Sequence, residues 1–435
     1  MQRRRARVAG LGLFFVATAA SAEPLVVSLL TTRTGPAAAV GASVANGFRD
    51  YVEMLTQRDG GIAGQRVAVV ECETGSEVSR ALACMEAAKA AGAAVVGVPD
   101  KAMTQALVEP SARHRIPLLS FADGYPIATR GDVMPWVFNP SASVLGGITV
   151  ALRVIAESSG RATSLQGLDI ALAYSAAGAD PASLDLMRDL SAKGGFSSSF
   201  YAVADDAKAN REILAAVGSR RPDYLILLGQ GVQAGTAAEE ALEAGIPPER
   251  LLALRWPGDS VLRRAGKQAR GFREVGRHAF GDHFPAFDEI DVHVIDRGLS
   301  LTPKDGSGET HYNRGVYNAV LLAEAIRIRR KRRPEGAFTG NDIRLALESL
   351  SIDDGRWKEL GLAGFARAVS LDCIDHGGHP DLYVLAWDGA KWLPAVRAIP
   401  QDVSAVQVWL DAMVDEFKAV HPDWPSRTEP CEHPT

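Results

Sequence analysis

The chain has 435 residues, of which 47% are hydrophobic and 23% charged, so it can bury a large core and is too long for one ordinary domain. Its net charge of −5 excludes the strongly basic surface on which nucleic-acid-binding proteins depend. After residue 22, no apolar run approaches the roughly 20 residues that a membrane span needs. We therefore expect no membrane insertion of the mature chain.

The first residues have the pattern of a secretory signal peptide. Residues 3–7 are rich in arginine, residues 8–20 are apolar, and residues 20–22 form a small-residue cleavage site. We expect residues 1–22 to be removed by cleavage near Ala22 and the mature protein to reach the periplasm. No cysteine follows the cleavage site, which argues against a lipid anchor.

Residues 24–121 alternate between strand and helix patterns. The apolar run at 25–30 predicts a strand buried on both faces, and a polar loop follows it. Apolar residues then recur at spacings of three and four over residues 40–55, which predicts an amphipathic helix. Runs at 67–70 and 95–98 predict further parallel strands.

The same alternation restarts at residue 169, without sequence similarity to the first half. It predicts an α/β protein with two Rossmann-like lobes, a hinge and a central cleft. We assign residues 1–22 to the signal peptide, 23–141 and 278–348 to lobe 1, 142–277 and 349–400 to lobe 2, and 401–435 to a C-terminal helix and tail.

Four cysteines occur in a chain expected in an oxidising compartment, where an even number favours disulfides. Cys72 ends the second predicted strand and Cys84 lies on the helix that follows. We therefore favour a bridge between these two, which leaves Cys373 to pair with Cys431. Buried unpaired thiols are the alternative for each pair.

The second pair also invites a metal interpretation. Cys373 is followed by His376 and His379, and Cys431 by His433, which are residue types that bind zinc. Because export favours oxidation of the cysteines, we prefer a disulfide beside a turn and predict no metal.

The lobes predict where a ligand binds. In open α/β sheets ligands lie beyond the carboxyl ends of the strands, and two facing lobes form a cleft there. The loops that follow the predicted strands supply the candidate ligand-binding residues, which are Thr34, Lys101, Ala102, Thr104, Asp123, Gln230, Trp256 and Asp259.

Some of these side chains have a ready chemical use. Lys101 offers a positive charge to a carboxylate, Trp256 a ring to an apolar group, and Thr104 and Gln230 directional hydrogen bonds. The alternative for Lys101 is a surface ion pair with a neighbouring aspartate. For Trp256 the alternative is ordinary packing between the lobes.

No sequence motif specifies catalysis. The glycines at 229, 231 and 235 follow a strand, but their spacing is GxGxxxG, and no acidic residue ends the next strand as a dinucleotide site would require. The chain also lacks a G-x-S-x-G elbow, an H-E-x-x-H motif and a P-loop. We expect no catalytic residue, no cofactor and no enzyme activity.

Several segments resemble the leucine/isoleucine/valine-binding family, the type I periplasmic solute-binding proteins of ABC importers. The similarity covers nearly all of the mature chain. The segments that carry it are residues 34–41, Gly47, 60–65, 116–120, 306–309, 312–315 and the turn at 387–389. The segment 71–75 with residues 84–86 is similar to a branch of the family that carries this cysteine pair.

The resemblance implies a monomeric Venus-flytrap that closes on a small ligand and presents it to a membrane permease and its ATPase. In such families backbone N–H groups and hydroxyls after the third strand hold the carboxylate of an amino acid. Residues 100–102 stand there in this chain, without the usual serine pair. Asp259 matches the acidic residue that pairs with the ligand's ammonium group.

Our leading hypothesis is a periplasmic receptor for a small amino-acid-like or carboxylate solute that feeds an ABC importer. The second hypothesis is a sensory or accessory protein with the same fold, since several pocket positions depart from the family pattern. The third is an exported enzyme with its site in the cleft.

Overall fold

The structure is a computed structural model that describes residues 23–121, 125–140, 143–161, 163–175, 181–203, 206–229, 231–254, 259–303, 306–394 and 397–431. Within these ranges the chain forms two α/β lobes, each built on its own large sheet. None of the helices described there is long and apolar enough to cross a bilayer.

The first lobe begins with a five-stranded parallel sheet. Its elements are β1 (Leu25–Thr31), α1 (Ala38–Asp59), β2 (Val67–Glu73), α2 (Val78–Ala90), β3 (Val95–Val98), α3 (Lys101–His114), β4 (Leu118–Ser120) and β5 (Val137–Phe138). The strand order is β2-β1-β3-β4-β5, with every pair parallel. Six of the seven residues of β1 are buried, as expected for a strand covered on both faces.

The second lobe follows the same plan. Its elements are α4 (Val144–Ser158), β6 (Asp169–Ser175), α5 (Pro181–Gly194), β7 (Ser197–Val203), α6 (Ala207–Arg220), β8 (Tyr224–Leu228), α7 (Gly231–Glu243), β9 (Leu251–Leu254), α8 (Asp259–Ala265) and β10 (Arg273–Gly276). Strands β7, β6, β8, β9 and β10 lie side by side and are parallel. The fold class predicted from the alternating pattern is therefore confirmed.

After β10 the chain returns to the first lobe. The elements there are α9 (Pro285–Ile290), α10 (Thr310–Arg332), α11 (Gly340–Leu347), β11 (Ser351–Ile352), α12 (Asp354–Glu359) and β12 (Val369–Ser370). Helix α10 packs along α1, and glycines allow the two backbones to meet. A Cβ on Gly47 would lie 2.0 Å from the carbonyl oxygen of Tyr312, and one on Gly315 would lie 2.1 Å from that of Val44.

The segment after α11 lies in the first lobe, although the sequence analysis assigned it to the second. Ile352, Trp357, Phe365 and Val369 are all buried in the core that also contains α1 and α10. Strands β11 and β12 have two residues each and pair only with each other. The expected return to the second lobe at residue 349 is therefore too early in the chain.

The last strands and the last helix lie on the second lobe, and the segment after them contacts the first lobe. Strand β13 (Leu382–Ala386) pairs antiparallel with β10, strand β14 (Ala398–Ile399) pairs antiparallel with β13, and α13 (Val403–Val420) follows. Both predicted disulfides are present in the structure. Their Cα atoms are 5.8 Å apart in the pair of Cys72 and Cys84, and 5.7 Å apart in the pair of Cys373 and Cys431.

Candidate functional site

Three of the predicted ligand-binding residues, Asp123, Gln230 and Trp256, lie outside the described residues. The other five occupy two kinds of position. Thr34, Lys101 and Ala102 stand at the ends of first-lobe strands or at the start of the next helix, while Thr104 and Asp259 are buried. The structure gives each of them a specific environment.

Thr34 follows β1 and is tied to the end of β2. Its backbone N–H and its hydroxyl both donate to Oε1 of Glu73, at 3.1 and 2.9 Å. Burial opposes ionisation of Glu73, but hydrogen bonds from Arg33, Thr31 and Thr34 outweigh that effect and lower its pKa. Thr34 is exposed, and its hydroxyl ties the loop between β1 and α1 to the end of the neighbouring strand β2.

The N-terminus of α3 is occupied by a side chain of the protein itself. The Asp100 carboxylate accepts the backbone N–H groups of Ala102 and Met103, at 2.8 and 3.1 Å. These are donors that a ligand carboxylate would otherwise use. Lys101 is half-buried at the first position of the helix, and Ala102 is exposed.

Thr104 is fully buried and serves the fold. Its hydroxyl donates to the carbonyl oxygen of Asp100 at 2.7 Å and lies 2.9 Å from the hydroxyl of Ser120 on β4. The side chain thus fixes the start of α3 against the neighbouring strand. Nothing in this geometry directs the Thr104 hydroxyl toward a ligand.

Asp259 connects the two lobes. It opens α8 in the second lobe, and its Oδ1 accepts hydrogen bonds from the hydroxyl of Thr310 and from Nε1 of Trp392, the latter at 3.0 Å. Thr310 is the first residue of α10 in the first lobe. A second inter-lobe contact joins Arg263 of α8 to Glu309 just before α10.

A group of ionisable residues, all buried except the half-buried Arg314, lies beside this contact, and we call it the inter-lobe cluster. Its members come from β10, from the segment that leaves it, and from the first turns of α10. They are Glu274, Arg277, His278, His311 and Arg314. Glu274, Arg277, His278 and Arg314 also line a small cavity, of about 30 Å³, together with Thr310, Leu254 and the start of α4.

Burial dominates the ionisation of this cluster. It raises the pKa of Glu274 well above its usual value, with Arg314 opposing and Asp259 adding to the effect. It lowers the pKa of His311 to about 3 and that of Arg277 to about 9, and the nearby Arg314 adds to both shifts. His311 is therefore neutral near pH 7, and burial favours the protonated form of Glu274, beside two arginines.

Two members of the inter-lobe cluster carry polar atoms that the protein does not satisfy. Both ring nitrogens of His311 and Oε2 of Glu274 are buried and have no hydrogen-bond partner among the described residues. His311 is 7% exposed and Glu274 is 3% exposed. Such groups are rare in native proteins and mark places where water or a ligand completes the hydrogen bonding.

The cavity at the cluster has room for about one water molecule in this arrangement of the lobes. An organic solute is larger than this cavity. It can therefore contact these groups only after the lobes, or the outer loops of the cleft, have moved apart. Among the described residues, no set of three metal-ligand side chains is placed to hold an ion.

The sequence analysis did not nominate the inter-lobe cluster. Arg314 stands in the segment 312–315 that carries the family resemblance, but nothing in that segment marks its side chain as buried between lobes. Glu274 was detectable in principle, because an acidic residue in the middle of a short core strand needs an explanation. His311 and Arg277 have no such local signal.

The comparisons with known proteins agree with this architecture of two lobes around a cleft. Residues 24–391 match the model of the periplasmic binding protein family. The chain therefore belongs to that family, as a type I periplasmic binding protein. None of the curated protein sequences is significantly similar to the chain.

Solved structures show the same fold. A structure described as an ABC transporter permease from the Pseudomonas fluorescens group is 28% identical, with a TM-score of 0.84, over 93% of this chain and 99% of that one. A branched-chain amino acid ABC transporter from Thermus thermophilus with bound valine is 16% identical, with a TM-score of 0.72, over 89% and 98%. A solute-binding protein of an ABC transporter from R. palustris in complex with benzoate is 18% identical, with a TM-score of 0.64, over 87% and 97%.

As a member of this family the chain is a periplasmic binding protein, and the solved structures that share its fold include a substrate-binding protein of an ABC transporter.

Proposed function

We propose that this protein is the periplasmic substrate-binding component of an ABC importer. In this proposal it binds a small amino-acid-like or carboxylate solute between its lobes and delivers it to the permease and ATPase in the inner membrane. The observation that carries the proposal is the set of buried, unsatisfied polar atoms of Glu274 and His311 at the lobe interface of a periplasmic binding protein fold. The exported mature chain acts as a monomer.

The charges of the inter-lobe cluster favour an anionic ligand. Arg277 is buried and Arg314 is half-buried, and the charge of Arg314 adds to the cost of keeping Arg277 protonated. A carboxylate near them offsets that repulsion and the lost solvation, which makes the favourable interaction largest when both lobes enclose the ligand. Neutral His311 then has one donor and one acceptor to fix the ligand's orientation.

The capped N-terminus of α3 argues for a ligand held differently from the amino acids of the resembled family. Asp100 already takes the N–H groups of Ala102 and Met103, and its charge repels a second carboxylate at that position. The ligand carboxylate is therefore expected at the arginines of the inter-lobe cluster, with Lys101 and Asp259 near the outer part of the site.

Binding and closure are one equilibrium in this mechanism. A ligand that contacts both lobes stabilises the closed arrangement by its difference in affinity for the two states, and the closed shape is what the permease recognises. The contacts between Asp259 and Thr310 and between Arg263 and Glu309 form the protein's own part of that closed arrangement.

The test begins with mass spectrometry of solute released from natively purified protein. A thermal-shift screen of amino acids, aliphatic carboxylates and aromatic acids follows. A ligand at 100 times its dissociation constant stabilises the folded state by about 2.7 kcal/mol. We expect at least one carboxylate to raise the melting temperature; if the whole panel fails and no solute is recovered, the receptor proposal is wrong.

The site assignment has its own control. Arg314→Gln is expected to weaken binding of the identified carboxylate by about tenfold or more. Arg153→Gln removes the same charge from α4, where Arg153 is half-exposed beside Glu157, and is expected to leave affinity unchanged. If Arg314→Gln and Arg153→Gln bind the carboxylate with equal affinity, the inter-lobe cluster is not the binding site.

A second candidate function is ligand sensing without transport. It is favoured by the Asp100 cap and the internal Thr104, which occupy positions that the resemblance assigns to ligand contacts. Uptake of the labelled solute in cells with and without the protein separates the two, because only a transport component changes the uptake rate.

A further inference from the structure

The last part of the chain lies outside the match to the family model, which ends at residue 391. We call residues 403–431, which comprise α13 and the extended segment after it, the strap. Helix α13 packs on α4 and α5 of the second lobe and on the short 3₁₀ turn Pro126–Thr129 of the first. The strap therefore adds a connection between the lobes that the family model does not include.

The extended end of the strap is held firmly on the first lobe. Trp424 Nε1 donates to the carbonyl oxygen of Val133 at 2.7 Å, and Arg427 donates to the Glu348 carboxylate at 2.7 Å. The disulfide between Cys431 and Cys373 closes this end covalently. These contacts hold the extended end of the strap against the first lobe.

A cavity of about 750 Å³ lies between the strap and the first lobe. Its inner wall is formed by α3 and residues 134–137, and its outer wall by residues 420–429. This volume falls within the range of ligand pockets, which is about 300–1,000 Å³. The cavity is separate from the inter-lobe cluster, since the two have no lining residue in common.

The cavity combines aromatic surface with positive charge. Trp136 and Trp424 line it; Trp136 is only 9% exposed and has the guanidinium groups of Arg115 and Arg344 at 5.7 and 5.0 Å from its ring centroid. The half-buried Trp424 presents an aromatic surface to the cavity, and the acidic residues Glu109, Asp423 and Glu429 also line it. An aromatic surface near the Arg115 guanidinium suits a ligand with a ring and a negative charge.

One of these cations has no acidic partner among the residues that the structure describes. Arg344 pairs with Glu348 and Glu429, and Arg113 at the rim pairs with Glu109. Arg115, by contrast, forms no ion pair with any residue in the described part of the chain. Its guanidinium, held against Trp136, is therefore available to a carboxylate or sulfonate of a ligand.

We propose that the cavity beneath the strap is a second binding site, for a small organic anion with an aromatic body. The ring packs against Trp424, and the acidic group pairs with Arg115. Because first-lobe residues and the strap's extended end build the whole site, it does not require closure of the lobes. It is thus independent of the solute site proposed above.

The probe for this test is 1-anilinonaphthalene-8-sulfonate, which has an aromatic body and one sulfonate and fluoresces in apolar surroundings. It is titrated into the full mature protein with the disulfides intact. We expect saturable binding at one site. Arg115→Gln is expected to weaken it by about tenfold, while Arg115→Lys retains part of the affinity.

A substitution that fills the cavity provides a second, independent test. Ala112 lines the cavity from α3, and Ala112→Phe is expected to abolish probe binding while keeping Arg115 in place. Arg153→Gln, on the second lobe, and Arg314→Gln, in the inter-lobe cluster, are expected to leave the probe affinity unchanged.

The outcomes separate the two proposals. Probe binding that survives both Arg115→Gln and Ala112→Phe, or that is lost only in Arg314→Gln, would place the probe elsewhere and overturn the second site. The absence of any saturable binding would also overturn it. None of these results affects the carboxylate screen by which the inter-lobe site is judged.

Discussion

Asp100 shows how a single residue changes the expected use of a helix end. Its carboxylate caps α3 by accepting two backbone N–H groups. Removing such a cap costs about 1 kcal/mol, so Asp100→Ala is expected to lower the free energy of unfolding by that amount in urea titrations. Asp100→Asn keeps the acceptor and is expected to stay within a few tenths of the wild type. Equal losses in the two variants would contradict the capping role.

The strand-exit rule predicts where loops lie and does not predict what their side chains contact. It nominated the loops after β1, β3 and β9, and the structure finds Thr34, Lys101 and Asp259 there. What the sequence does not contain is the pairing: that Thr34 bonds to Glu73 and Asp259 to Thr310 depends on segments 39 and 51 residues away. Hydrogen bonds between distant segments leave no local pattern.

His376 makes stability depend on pH. It is fully buried, stacks on Phe138 and lies 2.8 Å from the carbonyl oxygen of Val137 through Nδ1. Burial lowers its pKa to about 4; the Val137 contact opposes this, and Arg427 and Arg344 nearby add to it. The unfolded chain therefore binds a proton at higher pH than the folded one. The stabilisation is complete above about pH 6.5 and is lost as the pH falls toward 4, by roughly 3 kcal/mol.

His376→Asn is the variant that tests this. Asparagine keeps a donor for the Val137 carbonyl group but cannot titrate, so the variant is expected to lose less stability than the wild type between pH 6.5 and 4. Urea unfolding at several pH values measures the slope. Phe138→Leu loosens the same packing while keeping the histidine, and should keep the wild-type slope. A slope unchanged in His376→Asn would exclude His376 as the source.

At the scale of elements, the close packing of α1 on α10 depends on two glycines. A Cβ on Gly315 would lie 2.1 Å from the carbonyl oxygen of Val44 and 2.6 Å from the backbone nitrogen of Phe48, so the helices must separate to admit it. Gly315→Ala is expected to lower the free energy of unfolding by about 2–3 kcal/mol, measured by chemical denaturation.

The matched control for this substitution is Gly355→Ala in α12. The nearest atom to its added Cβ is the Asp353 Oδ1, at 3.2 Å, a side-chain atom beside a short helix. Its stability is expected to stay within about 1 kcal/mol of the wild type. Similar losses at Gly315 and Gly355 would show that the helix contact has no special dependence on glycine.

Elements were predictable where their pattern was long. The strands at 25–30 and 95–98 and the helix over 40–55 follow directly from apolar runs and periodicity. The segment 349–371 was assigned to the wrong lobe because β11 and β12 have two residues each, too few to show a period. Its burial rests on Trp357 and Phe365, whose partners in the first core lie far away in sequence.

At the scale of the whole molecule, the candidate site is made by assembly. The inter-lobe cluster takes residues from β10 and from α10, and burial is the main cause of the pKa shifts of Glu274 and His311. The family resemblance predicted a cleft between lobes. It did not predict these residues, since burial at an interface depends on how two folded units meet.

The contact between Asp259 and Thr310 allows the equilibrium between the closed and open arrangements of the lobes to be tested by mutation. Thr310→Val removes the hydroxyl that donates to Asp259 while keeping the side-chain shape, and Trp392 Nε1 is left as the donor to that oxygen. A hydrogen bond to a charged group contributes about 1.5–3 kcal/mol, so its loss shifts the equilibrium toward the open arrangement by about tenfold or more.

Small-angle X-ray scattering of the unliganded protein measures this shift. Thr310→Val is expected to have a larger radius of gyration than the wild type, because the lobes separate more often, and Thr310→Ser, which keeps the donor, is expected to match the wild type. Saturating carboxylate ligand should return the valine variant to the compact curve, since a ligand that contacts both lobes restores the closed arrangement. Scattering curves that coincide for all three proteins would mean that this hydrogen bond does not control the distance between the lobes.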